Sequence, residues 1–270
     1  MNILSQLKIW VKLCLNIKVS GHHMRHRKDD VFLVSYPKSG NTWMRFVLGN
    51  IVSSDRIDFN NVNRVIPDIY TTSKQDLDNC SGRRIIKSHE PWLKSYSKVI
   101  YVVRDPRDVV VSYYYWKKKY NTDFTSNMTE FINEFLEGTC SIFGCWIDHY
   151  YSWKNSPQNE KGNMMIVKYE DLKQEGVNEI KRVCDFLNLT TDVVVIEDSL
   201  ENSRFTEMQK LEAKQSDTSD YLKGSDKSIK FVRSMKSEWE QHLQGDLKET
   251  FKAKYGMLLI DLGYEKDLNW

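Results

Sequence analysis

No stretch of this 270-residue chain comes near the ~20 consecutive apolar residues that a membrane-spanning helix requires. The closest, residues 3 to 15, is interrupted by Lys8 and Lys12, and no small-residue cleavage site follows it. Neither a spanning segment nor a secretory leader is therefore expected there. Cysteine is scarce: Cys14, Cys80, Cys140, Cys145 and Cys184 make an odd count of five without a C-x-x-C pair. This argues against a disulfide framework and for free thiols in a reducing compartment, so a cytoplasmic location is expected. Net charge is nearly absent as well, since 39 Lys and Arg against 37 Asp and Glu leave +2. So small an excess does not recruit a bulk polyanion, and nucleic acid is not an expected partner. No internal repeat is visible, and no Asp, His or Cys cluster has metal-ligand spacing, so no metal is expected.

What is present is apolar and aromatic content of 40% and 12%, enough for a substantial core. The length suits one α/β domain, expected over residues 31–270. Residues 1–30 stand apart as a basic amphipathic segment. Leu4, Leu7, Val11, Cys14 and Leu15 share a helical face, Lys8, Lys12 and Lys18 lie off it, and a basic run from His22 to Lys28 follows. Two readings fit: peripheral contact of residues 1–28 with anionic lipid, or a helix docked on the globular body.

The chain is organised around Val31 to Val47. Val31-Phe32-Leu33-Val34 reads as a strand buried on both faces. Ser35-Tyr36-Pro37-Lys38-Ser39-Gly40-Asn41-Thr42 is a loop by its Pro, Gly, Ser and Asn content. Trp43, Phe46, Val47 and Ile51 then recur at helical spacing, so a helix begins near Asn41 or Thr42. A loop that leaves a strand and opens a helix aims free N–H groups and a positive dipole end at one point, which suits an anion. Lys38 adds a charge, and Ser39 and Thr42 add hydroxyls. The usual nucleotide loop, G-x-x-x-x-G-K-[ST], is not matched, because the lysine precedes the glycine.

The segment resembles instead the 5′-phosphosulfate loop of sulfotransferases that use 3′-phosphoadenosine 5′-phosphosulfate (PAPS), roughly Y-P-K-S-G-T-x-W. Here it reads Tyr36-Pro37-Lys38-Ser39-Gly40-Asn41-Thr42-Trp43, departing only at Asn41, which keeps a side-chain donor. Further along, Lys87-Ser88-His89 matches the family's K-[ST]-H at the end of a second strand, Arg84 to Lys87. Arg104-Asp105-Pro106 opens the family's nucleotide segment after the strand Lys98–Val103, with Arg104 and Ser112 at the two 3′-phosphate positions. Val109 to Trp116 would be strand by propensity. Asp105 as N-cap and Pro106 at the first helical position predict helix.

Between these motifs, residues 53–82 read as an irregular excursion, and residues 126–153 as two helices. The aromatic stripe Phe143, Trp146, Ile147, Tyr150 and Trp153 is expected in the core. Met164 to Lys168 is a strand, followed by Tyr169-Glu170-Asp171-Leu172, which resembles the family's Y-E-D-[LM] with its adenine-contacting tyrosine. Val177, Ile180, Val183, Cys184 and Leu187 mark an amphipathic helix. Asn202 to Met208 resembles [HT]-[ST]-x-F-x-x-M, which places Ser203, Phe205 and Met208 along the nucleotide. Residues 212–230 read as a mobile loop. In Phe231 to Trp239 the family's R-K-G-x-x-G-x-W is only partly kept: Arg233 and Trp239 match, Ser234 stands at the Lys position, and no Gly follows. Lys236 is the candidate for the missing charge. Two closing amphipathic stretches complete the chain.

The expected fold is a P-loop-like three-layer α/β structure, with a mostly parallel sheet of four or five strands and helices on both faces. The resemblance implies sulfuryl transfer from PAPS to a hydroxyl or amine of a small-molecule or carbohydrate acceptor. His89 would be the base, Lys38 the cation at the bridging oxygen, and Lys87 an aid at the sulfuryl oxygens. Backbone N–H groups from Ser39 through Gly40, Asn41 and Thr42 to Trp43 would hold the 5′-phosphate, with Trp43 stacked on adenine. The alternatives are a small-molecule kinase, which the order of lysine and glycine disfavours, and a non-catalytic nucleotide-binding adaptor, which retention of Lys38 and His89 disfavours.

Overall fold

The computed structural model describes residues 20–233 and 238–270. The candidate helix at 4–15 and the residues Ser234 and Lys236 lie outside them. In chain order the elements are β1 (Val31–Ser35), α1 (Asn41–Val52), α2 (Val62–Val65), α3 (Lys74–Asn79), β2 (Ile85–Ser88), β3 (Lys98–Val103), α4 (Pro106–Tyr120), α5 (Met128–Glu137), α6 (Trp146–Lys154), α7 (Pro157–Glu160), β4 (Met164–Lys168), α8 (Tyr169–Gln174), α9 (Gly176–Leu187), α10 (Val193–Asn202), α11 (Phe205–Gln215) and α12 (Gly245–Asp261).

The four strands form one parallel sheet in the order β2-β1-β3-β4. Alternation of side chains along β1 explains the three layers. Phe32 and Val34 point to one face, where they join Val110 and Tyr113 of α4, Phe131 and Phe135 of α5, Trp146 and Trp153 of α6, and Phe251 and Tyr255 of α12. Val31 and Leu33 point to the other, where Met44 and Val47 of α1, Ile180 and Val183 of α9 and Ile196 of α10 cover them. A third cluster of Phe46, Phe59, Val62, Met208 and Leu222 joins α1 to α11.

The sheet switches direction at β1, with β2 on one side and β3 then β4 on the other, and ligands of open α/β sheets bind at such a point. Each strand's carboxyl end delivers one candidate residue there: His89 after β2, Lys38 after β1, Arg104 after β3 and Tyr169 after β4. The opposite end of the sheet is tied by Arg84, which is not part of β2. Its guanidinium forms a buried two-pronged pair with Asp30, Nη2 to Oδ2 at 2.6 Å and Nε to Oδ1 at 2.7 Å.

Several expectations change. Residues 53–82 contain α2 and α3, and Asp68 pairs with Lys87 at the sheet edge, where the Lys87 N–H donates to Pro67 O at 2.8 Å. Residues 212–215 belong to α11, and a single helix, α12, takes the place of the two closing stretches. The basic run His22–Lys28 packs on the body: the Arg27 guanidinium donates to the carbonyls of Asp78, Cys80 and Gly82, and Met24 is buried. Among the described residues no helix is long and apolar enough to cross a membrane. Cys80, Cys140, Cys145 and Cys184 are free thiols.

Candidate active site

The loop after β1 is shaped for an anion. Lys38 has φ 70°, a left-handed conformation that costs a non-glycine residue about 1–2 kcal/mol. Gly40 has φ 102°, and a Cβ there would meet Tyr169 Cδ2 at 2.5 Å, so glycine is required on two counts. No side chain caps α1, and its first internal bond is Met44 N–H to Gly40 O at 3.1 Å. The N–H groups of Asn41, Thr42 and Trp43 thus have no acceptor within the helix.

Two details differ from expectation. The Ser39 N–H donates to Tyr36 O at 3.2 Å and is not available, and its buried Oγ has no partner. The Asn41 amide turns inward, donating to Leu33 O at 3.1 Å and Ser35 Oγ at 3.2 Å. It braces the end of β1 and offers no side-chain donor to a ligand.

His89 closes the other side of the loop. Its Nδ1 lies 2.7 Å from the Ser35 carbonyl, which can only accept, so Nδ1 carries the proton and Nε2 keeps the lone pair. Burial, and then the charge of Lys87, hold the imidazole well below its usual pKa of 6.5, so the ring is neutral at physiological pH. Lys87 pairs with Asp68 at 2.8 Å. Lys38 is depressed to about 7, first by burial and then by the neighbouring Arg104 charge. Its side chain keeps partial exposure along the cavity, and Nζ sits 4.5 Å from the centre of the Phe231 ring.

Arg104 rests on the Tyr169 ring at 4.6 Å, makes long contacts of 3.4 Å to Lys38 O and Asp108 Oδ2, and has a buried Nε without a partner. An underused buried guanidinium is what an incoming anionic group would satisfy. It sits at the start of α4, whose Asp105 cap accepts the Arg107 N–H at 2.9 Å, with Pro106 in the first turn.

Lys38, Gly40, Asn41, Thr42, Trp43, Lys87, His89, Arg104, Ser112, Tyr169, Phe205, Met208 and Arg233 all line one cavity of about 1690 Å³. This exceeds a single-ligand pocket of ~300–1,000 Å³ and leaves room for a nucleotide and an acceptor side by side. Ser203 does not line it. Its buried hydroxyl accepts from Asn50 Nδ2 at 3.2 Å, and its carbonyl accepts from the Trp43 indole at 2.9 Å. Thus Ser203 pins Trp43, which stands edge-on to Tyr169.

Sequence reasoning missed two walls of this cavity, Tyr70 and Phe143. Tyr70 stacks beside His89 at 6.0 Å, and its hydroxyl accepts the His89 N–H at 2.8 Å. Phe143 leaves the core stripe and faces His89 at 5.7 Å, whereas Trp146, Tyr150 and Trp153 are core as expected. Tyr113, Trp116 and Tyr120 of α4 complete an aromatic side. No periodicity marked Tyr70, and Phe143 was indistinguishable from a core position by spacing.

Nor is the segment 216–233 free. The Glu212 carboxylate accepts the N–H groups of Phe231 at 2.5 Å and Val232 at 2.9 Å and pairs with buried Lys119 at 3.4 Å. Lys119 Nζ also donates to the carbonyls of Asp226 and Ile229. Arg233 lies over the Tyr115 ring at 3.4 Å and bonds Glu238 at 3.0 Å.

Comparison with known proteins identifies the family. The family model described as Sulfotransferase domain matches residues 28–263. The human protein Sulfotransferase 2A1 is 30% identical over 258 residues, covering 88% of this chain and 87% of the relative. The rat protein Sulfotransferase 1E1 is 28% identical over 256 residues, covering 85% and 83%. Among solved structures, mouse sulfotransferase SULT7A1 complexed with PAP superposes with a TM-score of 0.71 at 25% identity, over 89% of each chain. Retinol dehydratase in complex with androsterone and PAP reaches 0.72 at 19% identity, over 88% of this chain and 82% of that one, a likeness of fold. The Lys38 loop, His89 and Arg104 all lie within the matched residues, and this chain belongs to the sulfotransferase domain family.

Proposed function

We propose that the protein transfers a sulfuryl group from PAPS to a hydroxyl or amine of a small-molecule or carbohydrate acceptor. The observation that carries the reading is the contact between His89 Nδ1 and the Ser35 carbonyl. It leaves the Nε2 lone pair as the base beside a loop built for an anion. The acceptor loses its proton to Nε2 as its oxygen or nitrogen bonds to sulfur, and the bond from sulfur to the 5′-phosphate oxygen breaks in line. Negative charge grows on that bridging oxygen, where the Lys38 ammonium and the α1 N–H groups stabilise it.

The residues fit the nucleotide. The first N–H groups of α1 suit the 5′-phosphate. The underused Arg104 guanidinium and Ser112 suit the 3′-phosphate, with Arg233 closing over it. Tyr169, Trp43, Phe205 and Met208 offer apolar surface to adenine. Asp68 holds Lys87 beside the cavity, where it can meet the sulfuryl oxygens. The aromatic walls Tyr70, Phe143 and Trp116 favour a flat, largely apolar acceptor. The four free thiols among the described residues support a reducing, cytoplasmic setting.

The purified protein, offered PAPS or ATP with a panel of phenols, steroids, sugars and amines, tests this reading. PAPS consumption with a sulfated product supports it. ATP consumption would make the protein a kinase, and binding of nucleotide without turnover would make it an adaptor.

A further inference from the structure

We propose that His149, backed by Tyr101, is a positioning residue that holds the base His89 in its working tautomer and orientation. The proposal deepens the sulfotransfer reading and rests on it for the role of His89.

The turn that carries His89 lies beyond the end of β2, where the parallel ladder no longer holds the backbone. Its polar groups are bound one by one. The His89 N–H donates to Tyr70 Oη at 2.8 Å, and the Glu90 N–H donates to Ser88 Oγ at 3.1 Å. The two following carbonyls hang from α6: His149 Nε2 donates to His89 O at 2.9 Å, and Trp153 Nε1 donates to Glu90 O at 3.0 Å. Residues 149 and 153 are four apart, so one face of one helix grips two consecutive carbonyls.

His149 can do this in only one protonation form. It is buried, at 1% exposure, edge-on to Tyr36 and beside the Tyr101 ring. Its Nδ1 lies 2.9 Å from the Tyr101 hydroxyl, and that hydroxyl donates because Nε2 already carries the ring's proton to a carbonyl. Burial lowers its pKa to about 4, which keeps it neutral. His89 holds the opposite tautomer, with its proton on Nδ1. The chain of contacts runs from Tyr101 in the sheet, through His149, to the backbone of the base. With the backbone fixed, the His89 ring reaches the Ser35 carbonyl, and Nε2 is the nitrogen left for the acceptor.

Loss of the His149 donor frees the His89 carbonyl, so the turn shifts and the Nδ1 contact weakens. A misplacement of ~1 Å at a reacting group can cost ~10²-fold in rate. The residues proposed to hold the nucleotide lie on or beside α1, α4, α8 and α11, outside this turn.

The test uses His149→Phe, His149→Gln and Tyr101→Phe in the full chain. Nitrogen NMR of the histidine rings reads the His89 tautomer, titration with 3′-phosphoadenosine 5′-phosphate (PAP) reads the nucleotide site, and turnover is read with the best acceptor of the panel. His149→Phe is expected to lower kcat by ~10²-fold, to give His89 a mixture of tautomers, and to leave PAP affinity within about twofold. His149→Gln restores an N–H near the Nε2 position and should recover kcat to within about tenfold of wild type. Tyr101→Phe is nearly isosteric, so it decides the matter if His149→Phe does not fold. It should lower kcat by roughly tenfold and broaden the His89 signals. An unchanged His89 tautomer together with kcat within about threefold of wild type, in whichever of these two variants folds, overturns the proposal. So does a loss of PAP affinity in step with kcat. If the wild type shows no turnover with PAPS, the sulfotransfer reading fails, while the tautomer measurement still decides the positioning role.

Discussion

His89 Nδ1 and the carbonyl oxygen of Ser35 are 2.7 Å apart, and this hydrogen bond joins the proposed base, just past the end of β2, to the last residue of β1 before the Lys38 loop. Base and loop therefore keep a fixed spacing, set by adjacent parallel strands in which Val34 stands opposite Ser88. Such a bond contributes only about 1 kcal/mol to stability. Its larger effect is to fix the tautomer, which leaves Nε2 as the nitrogen with the lone pair.

Lys38, at a pKa of about 7 without ligand, is only partly protonated near neutrality. An anion binds the ammonium form, so binding of PAP takes up a proton, and affinity falls as pH rises through 7 toward the ordinary lysine range. PAP titrations at pH values on both sides of 7 should show this fall, and Lys38→Arg, which stays charged, should flatten it. Lys38→Ala should lower turnover by ~10²-fold or more. A flat wild-type profile would mean that Lys38 is fully charged in the free protein.

Arg104→Ala should weaken nucleotides that carry a 3′-phosphate and leave those without it nearly unaffected, because its unpartnered Nε and long contacts leave capacity for one anionic group. Paired titrations with PAP and adenosine 5′-phosphate on one preparation check this. Equal weakening would assign Arg104 to support of Tyr169, on which it rests.

Gly40→Ala brings a Cβ against the Tyr169 ring and places a side chain at a φ of 102°. The expected result is a folded protein whose PAP affinity falls roughly 5- to 30-fold, since about 1–2 kcal/mol of backbone strain falls on the loop itself. Thermal melts and PAP titration separate this from general destabilisation, and wild-type affinity would show that the loop yields without loss.

Glu212→Ala removes the acceptor of the Phe231 and Val232 N–H groups and leaves Lys119 buried without its counter-ion. Breaking a buried pair costs on the order of 3 kcal/mol. Hydrogen exchange in 226–232 should therefore quicken before any ligand is added, with PAP affinity reduced and the sheet unchanged. Fast exchange there in the wild type would restore the loose loop that composition suggested.

Much of this was legible where local rules agree with the fold. Lys98–Val103 and Met164–Lys168 are strands over those same residues, and the Asp105 cap outweighed the strand propensity of Val109 to Trp116. What was illegible is held by distant partners. Residues 216–233 are polar by composition, yet Lys119 and Glu212 fasten them from two helices. Helices α2 and α3 are too short to show a period. Ser203 matches a motif yet points into the core, and Asn41 spends its amide on β1, because spacing places a residue on an element without aiming its side chain.

The base assignment is the centre of the account, and transfer of labelled sulfur from PAPS to an acceptor, measured for wild type and His89→Ala alongside PAP affinity, tests it most directly. The account predicts label on the acceptor with the wild type, none with the variant, and equal PAP affinity in both. Because burial holds His89 well below 6.5, wild-type transfer should persist as pH falls through 6.5 and be lost only below that depressed pKa, where the base becomes protonated. Label transfer that survives His89→Ala, or a loss of PAP affinity equal to the loss of transfer, would contradict it.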